Sequence, residues 1–191
     1  MKNLKFSPIL VLIGIVLVFG VSLVSFYNSL VAKSQEVDNQ WAQVETQYQR
    51  RFDLIPNLVK SVEGIMKQEQ AVFGQIAEAR TRYSGAVDVE DKVKAATQIE
   101  SALGRLLVIM ENYPQLKSQE NVAQLMDELA GTENRVAVER RRFNDLVKDF
   151  NITVKKFPAN LIAGIFGFNS RSYFESITGA ENAPEVNINP Q

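Results

Sequence analysis

The chain has 191 residues, which is enough for one modest domain and an accessory segment. Its 21 basic and 22 acidic side chains leave a formal charge of −1, so we expect no nucleic-acid partner. The sequence has no His and no Cys, which removes the commonest general base, the usual zinc and haem ligands, thiol nucleophiles and disulfides. We therefore expect no catalytic residue, no metal and no cofactor.

The first element is an uncharged apolar stretch, residues 6–32, dominated by Ile, Leu, Val and Phe. About 20 apolar residues span the hydrocarbon core of a bilayer. After a short segment at 1–8, the sequence therefore predicts a transmembrane helix at 9–31. The alternative is a cleaved signal peptide, whose apolar core is only about 7–15 residues long. The expected membrane-anchor residues include Ile9, Ile13, Phe19, Phe26 and Tyr27.

The charges that flank this helix bear on its orientation. Lys2 and Lys5 precede the apolar stretch, and only Lys33 closely follows it. Because basic residues concentrate on the cytoplasmic side, this difference of one charge favours a C-terminal domain outside the cytoplasm.

A long helical pattern follows the anchor. Over residues 37–83, apolar positions recur in alternating steps of four and three, which predicts one helix whose apolar face forms the seam of a bundle. Arg51 and Glu69 are the two polar residues on that face. Pro56 predicts a kink, or alternatively a second helix that restarts there with Asp53 as its cap.

Two further helical patterns follow. After a loop at 84–88, apolar residues repeat over 89–113 and stop before Pro114, since the residue before proline disfavours the α conformation. Ser118 can cap the third pattern, which covers 122–157.

The apolar segment 161–168 predicts a short packed helix or turn. We therefore expect an all-α fold, in which a transmembrane helix precedes an antiparallel bundle at 32–178 that has long helices and up to four helices in all, the fourth being shorter. Residues 179–191 form an extended tail in this prediction. The second helical pattern is about half as long as the first, so one long helix must break or project beyond the bundle.

Several polar residues interrupt the apolar patterns or cluster beside them. The consecutive polar residues at 132–135 predict either a buried polar layer that fixes the register of the helices or a ligand pocket. Two basic clusters, Arg50-Arg51 and Arg140-Arg141-Arg142, offer a site for an anionic headgroup or an acidic partner, or else form a solvated helix face. We predict that Arg51 contacts a carboxylate or carbonyl on another helix, with Glu133 or Glu139 as the carboxylate. The candidate interaction residues are Arg50, Arg51, Asp53, Glu69, Thr132, Glu133, Asn134 and Arg135.

The chain resembles the LemA family of bacterial membrane proteins from about Tyr27 to Ile188. One departure is Gln68, where many members have a His, which argues against a catalytic or metal-binding role for that His in the family. The segments that carry the resemblance are Tyr27-Asn28-x-Leu30-Val31, Val37-Asp38-x-x-Trp41-Ala42-Gln43-Val44-Glu45, Arg50-Arg51-x-Asp53-Leu54-Ile55-Pro56-Asn57-Leu58-Val59, Ala79-Arg80, Tyr113-Pro114-x-Leu116-Lys117, Thr132-Glu133-Asn134-Arg135, Arg142-Phe143-Asn144, Phe157-Pro158-x-Asn160 and Phe166-Gly167-Phe168.

The resemblance implies a single span, a mostly helical domain and no established enzymatic activity. One relative is associated with magnetosome membrane formation, which suggests a membrane-organising role in part of the family. We expect a single-pass protein of the bacterial cytoplasmic membrane that acts as an interaction or scaffold module. Its expected partners are the lipid bilayer, an envelope protein and, in a homo-oligomer, further copies of itself. A bundle that binds lipid or a small ligand is the alternative.

Overall fold

The computed structural model describes residues 8–174, which are helical and contain no strand. This confirms the all-α prediction. The short segment before residue 8 and the tail at 179–191 lie outside the described residues. The helices are α1 (Pro8–Glu63), α2 (Gln70–Gly85), α3 (Val89–Met110), α4 (Pro114–Lys117), α5 (Glu120–Lys155) and α6 (Ala159–Phe166).

Helix α1 is continuous from the apolar N-terminal stretch into the part that packs with other helices. The helix continues through Pro56, so the predicted alternative of a second helix that restarts there with Asp53 as its cap is wrong. Asp53 instead accepts a hydrogen bond from Gln49 Nε2, one turn earlier, at 2.8 Å. Among the described residues, α1 is the helix long and apolar enough to cross a membrane.

The prediction of one helix over 37–83 is wrong, because residues 64–69 separate α1 from α2. Gly64, a poor helix former, follows the last residue of α1. The turn moves Ile65 out to 36% exposure and buries Met66 completely, although the sequence pattern placed Ile65 on the apolar face. Glu69 is a half-buried residue that immediately precedes α2. The apolar repeat thus identified core positions correctly on both sides of a break that it could not show.

Later boundaries follow the sequence patterns with small changes. Asp88 caps α3 by accepting a hydrogen bond from the backbone N–H of Asp91 at 2.8 Å. Ser118 does not cap α5. It follows the last residue of the short helix α4, and its hydroxyl donates to the carbonyl of Pro114, the first residue of that helix. Phe157 was assigned to the apolar pattern of the third helix but lies beyond α5 and is 74% exposed.

The described residues form two compact units, and α1 and α5 each contribute to both. The first unit contains α1 up to Gln43 together with Arg141–Tyr173. Its core includes an edge-to-face pair between Trp41 and Phe143, with ring centroids 5.4 Å apart. Trp41 is 8% exposed and belongs to this core.

The second unit contains Val44–Arg140 together with Phe174. Here α2 and α3 run antiparallel, because Arg82 bonds to Gln98 while Gln75, earlier in α2, bonds to Arg105, later in α3. The α1 and α5 segments of this unit also run antiparallel, as their polar contacts described below show. The unit is therefore an up-and-down bundle of four helical segments.

Candidate functional site

A set of polar and aromatic side chains fills the middle of the second unit, and we call it the central cluster. Its members come from three helices and from the chain segment after α6. The members are Tyr48 and Arg51 on α1, Glu100 on α3, Glu133 and Arg140 on α5, and Phe174.

Tyr48, Glu100 and Arg140 form one half of the central cluster. The Tyr48 hydroxyl donates to Glu100 Oε1 at 3.1 Å and accepts from Arg140 Nη2. Arg140 Nη2 also donates to Glu100 Oε1. Tyr48 is fully buried, and the side chains of Glu100 and Arg140 are only 8% and 19% exposed. Each polar group therefore satisfies a neighbour that would otherwise be buried without a partner.

The guanidinium of Arg140 also lies over two aromatic rings. Its Cζ is 4.3 Å from the centroid of the Phe174 ring and 5.3 Å from that of Tyr48. The two rings are stacked, with centroids 6.4 Å apart and an angle of 16° between their planes. Phe174 is 5% exposed. Cation–π attraction is stronger when the groups are desolvated, so these contacts add to the ion pair with Glu100.

Arg51 and Glu133 form the other half of the central cluster. Arg51 Nη1 donates to Glu133 Oε2, which is the contact between helices that the sequence predicts. The Arg51 side chain is 9% exposed, whereas that of Glu133 is 44% exposed. The pair therefore lies at an edge of the bundle, with its cation inside and its carboxylate open to solvent.

The electrostatics of the central cluster are balanced, since two guanidinium groups face two carboxylates. Burial lowers the pKa of Arg51, while the nearby Glu100 carboxylate raises it. Burial also raises the pKa of Tyr48, with the Glu100 carboxylate as the next cause. A phenol whose pKa lies above its ordinary value stays protonated near neutral pH. Tyr48 is thus a hydrogen-bonding group here and a poor nucleophile or base.

Two donors in the central cluster have no hydrogen-bond partner among the described residues. They are the buried Nε–H groups of Arg51 and Arg140. A buried donor without a partner costs free energy, commonly about 1–3 kcal/mol. These two groups are where an anion or a bound water would gain a hydrogen bond.

Thr132 and Glu69 are not part of the central cluster. Thr132 is buried, and its hydroxyl donates to the carbonyl of Leu129 in the same helix at 2.7 Å. Glu69 is half-buried where α2 begins. A second ion pair, Lys92–Glu45, joins the start of α3 to α1.

The remaining candidate residues are on the surface of their helices: Arg50, Asp53, Asn134 and Arg135. Of the eight candidates, the structure buries Arg51 and Thr132 and half-buries Glu133 and Glu69. A role for the exposed four stays a prediction. Within residues 8–174, no group of three or more acidic side chains could hold a metal ion.

The sequence did not indicate Glu100, and it placed Tyr48 on the apolar face of α1 without a functional role. Arg140 belongs to a basic cluster for which the sequence left two interpretations, a site for an anionic headgroup or acidic partner and a solvated helix face. One signal was present: a tyrosine at a fully buried position carries a hydroxyl that needs a partner. No pattern in α3 distinguished Glu100 from its exposed acidic neighbours.

The anchor residues lie on the first unit's part of α1. Ile9, Ile13 and Phe19 are 66%, 49% and 65% exposed, as expected for side chains that meet lipid. Tyr27 contacts the short helix α6, with its ring centroid 4.7 Å from that of Phe166. Phe26 packs against the buried cluster of Leu30, Ile162 and Ala163. The C-terminal end of the apolar stretch is therefore partly covered by α6.

An apolar, exposed helix that continues directly into a helical bundle defines a membrane-associated helical protein. The LemA family model matches residues 40–188, and the chain belongs to that family. The Magnetosome protein MamQ 2 of Paramagnetospirillum magneticum is 27% identical over 186 residues, covering 84% of this chain and 68% of the relative. The Magnetosome protein MamQ of Magnetospirillum gryphiswaldense is 26% identical, with coverages of 82% and 67%. Protein LemA of Metamycoplasma hominis is 26% identical over 160 residues, with coverages of 83% and 73%.

Proposed function

We propose that this protein is a non-catalytic scaffold of the bacterial envelope, which holds an envelope protein partner beside the cytoplasmic membrane. The observation that carries the proposal is the continuity of α1. One helix supplies both the exposed apolar stretch from Ile9 and the core positions from Val37 onward. A partner bound to the bundle would therefore be held close to the bilayer.

The central cluster is consistent with this role. Its two cations and two carboxylates balance one another, and the Tyr48 phenol stays protonated near neutral pH. Such a cluster can fix the register of α1, α3 and α5, because each buried charge is satisfied only when its partner helix is in place. Two relatives are named as magnetosome proteins, and the membrane-organising role that the family resemblance suggests is in keeping with the proposal.

A lipid- or small-ligand-binding bundle is the second candidate, and a specific observation favours it. The unpartnered Nε–H groups of Arg51 and Arg140 are buried donors that an anionic headgroup could bind. This function would use the same central cluster for recognition, whereas the scaffold uses it for structure.

Purification of the full chain from its native membrane in mild detergent separates the two functions. Bound proteins and lipids are both quantified by mass spectrometry. The variant Arg140→Met removes a buried guanidinium, and Arg82→Met, whose side chain is 57% exposed, is the matched control. The fold of each variant is checked by circular dichroism.

The scaffold proposal expects one protein partner in fixed stoichiometry with the wild type and with Arg82→Met. A stoichiometric anionic lipid or metabolite that is lost with Arg140→Met and kept with Arg82→Met would support the ligand-binding function instead. A pure chain carrying neither a protein nor a ligand would contradict both.

A further inference from the structure

Helix α6 has two apolar faces, and only one of them is covered. Ala159, Ile162 and Ala163 are buried, and the last two pack against Leu30 of α1. On the other side of the helix, Leu161 and Ile165 are 58% and 78% exposed. Positions four residues apart lie on one face of a helix, so these two side chains form a continuous apolar strip.

The exposed apolar surface extends beyond α6 at both ends. Phe157, just before the helix, is 74% exposed, and Phe166, at its last position, is 59% exposed. No charged residue occurs from Phe157 to Ser170. Four large exposed apolar side chains within ten residues make a patch of the kind that marks a contact with a partner or a membrane. We call Phe157, Leu161, Ile165 and Phe166 the α6 patch.

The position of α6 beside α1 identifies what covers the α6 patch. The rings of Phe166 and Phe168 lie 4.7 and 6.1 Å from the ring of Tyr27. At about 1.5 Å per residue, Tyr27 lies about 6 Å inside the predicted end of the span at residue 31. Amphipathic helices that rest on a membrane bury their apolar face about 5–10 Å into the boundary between headgroups and acyl chains. The α6 patch therefore lies at the depth of that boundary.

The charges that flank the α6 patch fit the same placement. Lys155 and Lys156 are exposed immediately before it. Arg171, which follows it, is already paired with Asp38 of α1 at 2.8 Å, so the two lysines are the basic side chains available to headgroups. Long basic side chains at an apolar helix keep their charged ends at the headgroups while the neighbouring residues enter the lipid. Anionic lipids attract such residues further.

We propose that α6 is a second membrane contact, which lies in the interface of the same bilayer that α1 crosses and inserts the α6 patch among the lipids. The helix has only eight residues, so it lies along the interface and does not span. The chain would then be held to the membrane at two places, 26–30 and 157–166, that pack on each other. The proposal depends on α1 being a membrane anchor and does not depend on which partner the bundle binds.

The absence of cysteine in the whole sequence allows a direct test. A single cysteine is introduced in the full chain as Ile165→Cys, labelled with a nitroxide and reconstituted in nanodiscs of phosphatidylcholine and phosphatidylglycerol, one chain per disc. Electron paramagnetic resonance then compares collisions of the label with oxygen, which concentrates in lipid, and with a nickel chelate, which stays in water. Phe19→Cys in the apolar stretch is the lipid control, and Lys148→Cys, exposed on α5 in the same unit, is the water control.

The expected oxygen-to-chelate ratio at position 165 is several-fold above that at position 148 and below that at position 19. A ratio at 165 equal to that at 148 would place the patch in water and overturn the proposal. Low accessibility of position 165 to both reagents would show that protein covers the patch and would overturn the proposal as well. A second preparation with two chains per disc would then show spin–spin coupling if the covering protein is another copy of the chain. A water-like ratio at 19 would refute the anchor itself, which is a different failure.

Discussion

The central cluster leads to a quantitative prediction about the pair of Glu100 and Arg140. Replacing Arg140 by Met removes a guanidinium from a carboxylate whose side chain is only 8% exposed. Breaking one partner of a buried ion pair commonly costs about 3–5 kcal/mol, because the remaining charge is left in a poorly hydrated site. Tyr48 also loses the donor to its hydroxyl. We expect Arg140→Met to lower the free energy of unfolding by about this amount.

A double-mutant cycle separates the pair from other effects of the substitution. Because Glu100→Gln/Arg140→Met removes both charges, the double variant should be much more stable than the sum of the single effects predicts, with a coupling energy of about 2–3 kcal/mol. Urea unfolding of the full chain in detergent, followed by circular dichroism, gives the four free energies. The control cycle uses Glu78 and Arg82, an exposed pair within α2, for which about 0.3–0.5 kcal/mol is expected. A coupling for the buried pair no larger than the control value would show that the cluster is effectively solvated, and the argument for its structural role would be wrong.

Three further perturbations test other parts of the structure. Ile55 is 1% exposed at a core position of α1, so Ile55→Ala should lower the free energy of unfolding by about 2–5 kcal/mol. Asn57→Ala, at an exposed position of the same helix, should change it little. Equal effects of the two substitutions would contradict the assignment of the α1 face. Burial raises the pKa of Tyr83 above its ordinary value of 10.0, so the folded state keeps a proton that the unfolded state loses at high pH. The free energy of unfolding should therefore fall as pH rises above about 10, by up to about 1.4 kcal/mol per pH unit. Tyr83→Phe should remove that share of the slope, and an unchanged slope in urea titrations would refute the burial argument. Ile13→Arg should cost about 2.5–3.5 kcal/mol of membrane insertion and shift protein to the soluble fraction, and full retention in the membrane would count against the span.

Much of the fold was predictable because the buried apolar residues of a helix recur at regular intervals in the sequence. The face of α1 that carries Val37, Val44, Ile55 and Leu58 is buried at each of those positions. The break after Glu63 was not predictable from the same repeat, since periodicity reports which side chains face the core and says nothing about the hydrogen bonds of the backbone. The turn that ends α1 hydrogen-bonds Ile65 and Met66 back to Val62, and a single glycine was the only local sign of it.

The central cluster was predictable only where a polar residue interrupted an apolar face. Arg51 stood out in this way, and its contact with Glu133 followed from the need to pair a buried charge. Glu139 and Arg140 also interrupt the apolar pattern of α5, but the pattern does not show which groups they meet. Glu100 could not be found, because it lies beside the regular apolar face of α3 and becomes buried only through the register between three helices. That register depends on contacts between residues far apart in the chain, which one sequence does not reveal.

The order in which the chain is made has a consequence for this cluster. Arg51 precedes Glu133 by 82 positions, and Tyr48 precedes Arg140 by 92. At a synthesis rate of about 5–20 residues per second, the α1 groups leave the ribosome roughly 5–20 s before their α5 partners. During that interval Arg51 lacks Glu133, and Tyr48 lacks Arg140 although its other partner, Glu100, comes only 52 positions after it. The guanidinium of Arg51 therefore resists burial. The nascent bundle is therefore expected to stay open and hydrated around α1 until α5 arrives, which gives a chaperone or an assembling partner several seconds of access to the unclosed helices.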